Sequence, residues 1–159
     1  MNKTAVVEQI MAALREKAAL HHDAARAAHA EATHEESMAE DKYDTRGLEA
    51  SYLAAGQARQ MAEVAAAIQE YAGLFLKKFS GKDPIDLSAL VTLTSRGKEQ
   101  VYFIGPGAGG LEVDVAGTGV LVITPSSPIG QKLIGRSAGS SFSMKIGPFT
   151  DAYKILAVA

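Results

Sequence analysis

Apolar residues recur at three- and four-residue spacing through the first half of the chain, and at two-residue spacing through much of the second. Val7, Ile10, Leu14, Ala18, His21, Ala25, Ala28 and Ala32 fall on one face of a helix. Leu48, Tyr52, Ala55, Arg59, Ala62, Ala66 and Gln69 form a second stripe of the same kind. Both stripes have polar members: His21 in the first, Arg59 and Gln69 in the second. Between them, Tyr43-Asp44-Thr45-Arg46-Gly47 combines a helix-stopping glycine with a capping Asp-Thr pair. The pattern predicts an antiparallel coiled-coil hairpin with its tip near residues 41–49. Its first helix, over about residues 3–41, would be roughly 55–60 Å long at 1.5 Å per residue, a rod rather than a globule.

The second half predicts short strands over 87–94, 100–104, 111–115, 120–124, 141–146 and 152–158. One stretch, 127–134, reads as a helix instead, with Ser126 or Ser127 as cap, Pro128 in the first turn and Gly135 as the stop. Composition divides the chain in the same place. All five prolines lie after residue 83 and twelve of the fifteen glycines after residue 80, whereas the first 80 residues hold 21 alanines. The expected organisation is a hairpin over 1–79, a linker over 80–87 that includes Ser80-Gly81-Lys82-Asp83-Pro84, and a β-rich domain over 88–159. The fold class is α+β: the hairpin, then a small, twisted, mostly antiparallel sheet holding one short helix against its face.

Charge and chemistry narrow the function. A net charge of −2 denies the chain an overall basic footprint for nucleic acid. The absence of cysteine excludes disulfides and thiolate metal sites and fits a cytoplasmic protein. No signal-peptide core follows the N-terminus, and no apolar run approaches the roughly 20 residues of a membrane span, so no membrane partner is expected. Gly105-Pro106-Gly107-Ala108-Gly109-Gly110 matches the dinucleotide-binding spacing, but a strand rather than a helix follows, which makes it a hairpin loop. His34-Glu35 begins like a zinc-protease helix, yet Met38 stands where the second histidine belongs. His21, His22, His29 and His34 read as solvated or seam residues. With no cysteine in the chain, no Cys/His pair is present for nucleophilic catalysis.

The tip is acidic. Glu31, Glu35, Glu36, Glu40, Asp41, Asp44 and Glu49 face only Lys42 and Arg46 over residues 31–49. Asp44 as a cap and Glu49 in a helix's first turn account for part of this. Carboxylates at the end of a hairpin can also supply oxygen ligands to a hard cation in another protein's cavity.

The segment Val122-Ile123-Thr124-Pro125-Ser126-Ser127-Pro128-Ile129-Gly130-Gln131-Lys132-Leu133-Ile134-Gly135-Arg136-Ser137-Ala138-Gly139 closely resembles the C-terminal signature of the GreA/GreB transcription elongation factors. Glu49-Ala50-Ser51-Tyr52-Leu53-Ala54-Ala55 is similar to that family's segment just after the hairpin tip. The resemblance implies an FK506-binding-protein-like sheet domain that docks at the secondary channel of bacterial RNA polymerase. The coiled coil would enter the channel, where two tip acids help hold a catalytic Mg²⁺ as the polymerase cleaves its own backtracked RNA. The factor would be an accessory rather than a free-standing enzyme, without a small-molecule substrate, and would meet the nascent RNA 3′ end only indirectly. The acids it points to are Asp44 and Glu49, as Mg²⁺ ligands within the polymerase complex, with Asp41 a further candidate. Ser127, Pro128, Lys132 and Arg136 are its candidate polymerase contacts, while Ile129, Leu133 and Ile134 pack the helix on the sheet. Arg15, Lys17 and Arg26 are candidates to follow the RNA.

One departure stands out. The family's cleavage motif is Gly-Asp-x-x-Glu-Asn, and ungapped alignment on Tyr52 places Thr45 and Leu48 at its acid positions. Asp44 and Glu49 are five apart rather than three. A non-cleaving, channel-occupying regulator with the same docking is therefore the alternative. A third reading, peptidyl-prolyl isomerisation, would need an aromatic pocket built from Tyr102, Phe103, Phe142, Phe149 and Tyr153.

Overall fold

The computed structural model describes residues 1–33 and 46–159. Its elements are α1 (Lys3–Thr33), α2 (Arg46–Ala72), β1 (Leu90–Ser95), β2 (Lys98–Ile104), β3 (Glu112–Val115), β4 (Thr118–Ile123), α3 (Pro128–Leu133), β5 (Ser141–Ile146) and β6 (Phe149–Val158). The predicted two helices, six strands and single short helix are all present. The part of the first helix expected over 34–41 lies outside the described residues.

The chain divides into two compact units, Met1–Met11 with Gln69–Ala159, and Ala12–Ile68. This division differs from the composition break. The ends of the helical half belong with the sheet, and the expected linker is part of that unit. Asp83 accepts from the Ser80 N–H at 2.7 Å, closing a turn. The hydrogen bonds from Ser80 lower this carboxylate's pKa, against a smaller opposing effect of desolvation and with Lys77 adding to the lowering. Ile85 is buried and exchanges backbone hydrogen bonds with Gly135 and Arg136 at 2.9 and 2.7 Å.

In the sheet unit, six strands run in the order β3-β4-β2-β1-β6-β5. Every pairing is antiparallel except β2 with β4. Two hairpins turn on pairs with positive φ at both central residues, Arg96-Gly97 and Ala116-Gly117, which matches the right-handed twist of their strands. Alternation sends Val91, Leu93, Tyr102, Ile104, Ile123 and Ile155 into one buried cluster with Leu133 of α3. Phe103, between Tyr102 and Ile104, points to the other face and stacks on Tyr71 with ring centroids 6.4 Å apart.

The glycine-rich segment corrects one expectation. β2 and β3 do not pair, so Gly105–Gly110 is a crossover that carries the chain past the position β4 later fills. β4 stitches it down: Gly105 N–H donates to Ile123 O at 2.9 Å, and Gly110 N–H to Val122 O at 2.8 Å.

In the Ala12–Ile68 unit, α1 turns inward the residues its stripe predicts. Leu14 is buried, and Ala18, His21 and Ala25 are half-buried. The side chains of Ala28 and Ala32 lie outside the described set. In α2 the inward face is not the predicted one. Leu48 and Tyr52 are 56% and 71% exposed, and Ala55, Arg59, Ala62, Ala66 and Gln69 are exposed as well. The inward residues are Ala54, Gln57, Met61, Val64, Ala67 and Ile68, two positions out of phase with the predicted stripe. Alanine on both faces of α2 weakens the periodic signal. The larger Met61, Val64 and Ile68, at three- and four-residue spacing, mark the true face.

Candidate functional site

The strongest local design surrounds α3. β4 ends at Ile123, and the Thr124 carbonyl accepts from both the Ser127 N–H at 3.0 Å and the Ser127 hydroxyl at 2.8 Å. Ser127 Oγ in turn accepts from the Gly130 N–H at 3.1 Å, capping the helix, with Pro128 at its first position. Of the two caps the sequence allowed, Ser127 takes the role, so its hydroxyl is engaged within the chain. Gly135, at φ +80°, ends the turn beyond α3 in a left-handed conformation that a side chain would strain.

This arrangement seats Leu133 fully in the core and Ile129 partly against it. Ile134, expected to pack on the sheet, is 36% exposed instead. It follows the last helical residue with extended backbone, at ψ 130°, and so leaves the helix's inward face. Lys132 is exposed. Arg136 is exposed too, but its guanidinium is engaged. Nε donates to Lys132 O at 2.6 Å, Nη1 to Ser141 O at 3.3 Å, and the group lies 5.7 Å from the Phe142 ring. Arg136 thus ties the end of α3 to β5, while the Lys132 side chain is exposed.

Of the three tip acids, Asp41 and Asp44 lie outside the described residues. Glu49 sits exposed in the first turn of α2, where a carboxylate complements the helix dipole. Among the described residues, no group of three or more His, Asp or Glu could hold a metal ion by itself. Arg15, Lys17 and Arg26 are all exposed. Arg15 and Arg26, three helical turns apart, share a face, and Lys17 falls on another.

The five aromatics required for prolyl isomerisation do not converge. Phe103 faces away from Tyr102, Phe149 is 63% exposed, and Phe142 stacks on Tyr153 at 5.2 Å. Tyr102 and Tyr153 instead line an open cleft of about 710 Å³ that also includes Arg96, Gln100, Glu112 and Asp151. Tyr102 donates to Gln100 Oε1 at 2.8 Å, and burial raises its pKa. Arg96 and Asp151 form an ion pair.

Two positions escaped the sequence reading. Tyr71, 2% exposed, donates to Gly107 O at 3.1 Å and holds the last turn of α2 to the sheet. Burial pushes its pKa well up, with Glu70 adding to the shift. Gln57 meets His21 across the seam between the helices.

Several solved structures are similar to this chain. The GreA factor homolog 1 protein of Thermus thermophilus is 19% identical, with 96% of this chain and 92% of that one covered, at a TM-score of 0.40. Gfh1 of Thermus aquaticus is 20% identical over 91% and 90%, at 0.41. The transcription elongation factor GreA/GreB from Nitrosomonas europaea is 20% identical over 65% and 78%, at 0.38. No family model matches the sequence, and no curated protein does. Among the described residues, no helix is long and apolar enough to cross a membrane.

Proposed function

We propose that this chain is a Gre-type transcription elongation factor that binds bacterial RNA polymerase through the α3 region and presents its acidic tip to the polymerase's secondary channel. The observation that carries the reading is the run from Val122 to Gly139. Its order of strand, capped Ser-Pro helix, glycine turn and strand matches the resemblance in sequence, and its helix is capped by Ser127 with Lys132 exposed on it. The tip carboxylates are hard oxygen donors of the kind Mg²⁺ prefers, and Glu49 is in reach of solvent. Mg²⁺ bound there with polymerase groups would supply charge neutralisation and an activated water for phosphodiester hydrolysis. The chain's own part is to position carboxylates; the polymerase provides the rest of the centre.

The test is RNA shortening in stalled, end-labelled bacterial elongation complexes with Mg²⁺. The native chain is expected to accelerate it, and Asp44→Ala and Glu49→Ala each to slow it by about 100-fold. A factor that binds polymerase without shortening RNA would establish the second reading, a non-cleaving channel regulator. What favours that reading is Leu48, exposed in the first turn of α2 where ungapped alignment calls for an acid. No binding at all would sink both.

Docking has its own test. Lys132→Glu is expected to weaken polymerase binding by about tenfold, more at low salt, with unfolding unchanged, because its charge is exposed. Equal binding by the variant at low salt would remove Lys132 from the interface.

A further inference from the structure

We propose that His21 and Gln57 are positioning residues whose hydrogen bond selects the face and register at which α2 meets α1, and thereby where Glu49 stands. The consequence for Glu49 rests on the function proposed above; the register claim does not.

His21 Nδ1 lies 3.1 Å from Gln57 Oε1, between side chains 36 residues apart in sequence. An amide oxygen only accepts, so Nδ1 is the donor in this bond. The ring's Nε2 is buried and has no hydrogen-bond partner. A polar pair with a buried, unmatched nitrogen stabilises a helix seam less than an apolar pair of the same shape. What it contributes is direction, as single polar residues in coiled-coil seams do.

Direction is what the surrounding seam lacks. Near His21 and Gln57 the inward residues are Ala18, Ala25, Ala54 and Met61. Alanine against alanine can be replaced by alanine against alanine one turn further on, a slip of roughly 5.4 Å. A competing face also exists. Leu48, Tyr52, Ala55, Ala62 and Ala66 line the exposed side of α2, and toward the tip that stripe is more apolar than Ala54 and Gln57. Apolar burial alone would favour rotating the tip-ward half of α2 to bury Leu48 and Tyr52. The hydrogen bond opposes this, since it weakens steeply away from about 3 Å and good alignment.

Glu49 lies eight residues tip-ward of Gln57 on the same helix. A slip of one turn moves its carboxylate by roughly 5 Å, and a rotation turns it to the opposite side. Misplacement of a reacting group by about 1 Å can already cost 10²-fold in rate.

The chain has no cysteine, so spin labels can be placed at Leu20→Cys and Leu53→Cys, both exposed in the native protein. Native His21 and Gln57 are expected to give one narrow label-to-label distance. His21→Leu and Gln57→Leu, each tested separately, are expected to split it into two populations with helicity retained. The exchanged pair, His21→Gln with Gln57→His, is expected to restore a single distance. RNA shortening should fall at least tenfold in the leucine variants and return in the exchanged pair. An unchanged single distance in both leucine variants, or a split that survives the exchange, overturns the proposal. If the native chain never acts on polymerase, the function reading fails while the distances still decide the register claim.

Discussion

Gly130→Ala is expected to destabilise the sheet unit by about 3–5 kcal/mol, although alanine is the better helix former. A Cβ at this position would stand 2.0 Å from the Thr124 carbonyl oxygen and 2.9 Å from Ser127 Oγ. Neither neighbour can give way cheaply. The carbonyl already accepts two hydrogen bonds from Ser127, and Ser127 Oγ caps the helix by accepting from Gly130 itself. Relief requires moving α3 off the end of β4, which draws Leu133 out of the core and breaks the cap. Overpacking of this kind costs about 1–3 kcal/mol, and each lost hydrogen bond about 1 kcal/mol more. Urea unfolding followed by tyrosine fluorescence reports on Tyr71, Tyr102 and Tyr153 in this unit. The midpoint should fall by about 2–3 M for a slope near 1.5 kcal/mol per molar. Gly81→Ala is the control: nothing lies within 4 Å of the point where its Cβ would stand, and stability should change by less than about 0.5 kcal/mol. A Gly130→Ala midpoint equal to that of Gly81→Ala would mean that α3 is not seated as described. Loss of polymerase binding by Gly130→Ala would follow from the same displacement, so Lys132→Glu, which leaves the seat intact, remains the cleaner probe of docking.

The sheet half was legible because each strand carries alternating apolar residues and each turn its own punctuation. Ser127, Pro128 and Gly135 mark both ends of α3 in the sequence and hold those roles in the structure. The crossover after β2 was not legible. A glycine-rich loop between two strand-like segments looks the same whether those strands pair or are separated by a third that comes later. Only the parallel pairing of Val101–Ile104 with Val120–Ile123 distinguishes the cases, and that pairing is long-range. In the helices the difficulty was composition. α1 has Ile10 and Leu14 to mark its inner face, whereas α2 offers alanines all round, with Leu48 and Tyr52 as decoys outside. Arg136 shows a further limit. Its type suggested a contact for a partner, but two of its three intramolecular contacts, to Ser141 and Phe142, depend on where β5 returns, which spacing along the chain does not reveal.

Tyr71 and Gly105 are expected to be strongly coupled, with Tyr71→Phe rescuing much of the damage done by Gly105→Ala. A Cβ on Gly105 would lie 2.0 Å from Tyr71 Oη, 3.0 Å from its ring carbon Cζ and 3.1 Å from Val122 Cγ1. The hydroxyl cannot swing away, because it lies in the ring plane and the ring is stacked on Phe103 with the whole side chain 2% exposed. Gly105→Ala alone should therefore cost about 3 kcal/mol. Tyr71→Phe alone loses the hydrogen bond to Gly107 O and should cost about 1 kcal/mol. In the double variant the worst overlap is gone, and the remaining contacts near 3 Å need shifts of only a few tenths of an ångström. Its cost should be about 2 kcal/mol, less than either the sum or the glycine variant alone, which makes the coupling about 2 kcal/mol. Strict additivity in urea unfolding would show that the hydroxyl does not occupy the notch left by Gly105. A tyrosine locked over a glycine by ring stacking and a hydrogen bond gives the last turn of α2 its seat on the sheet.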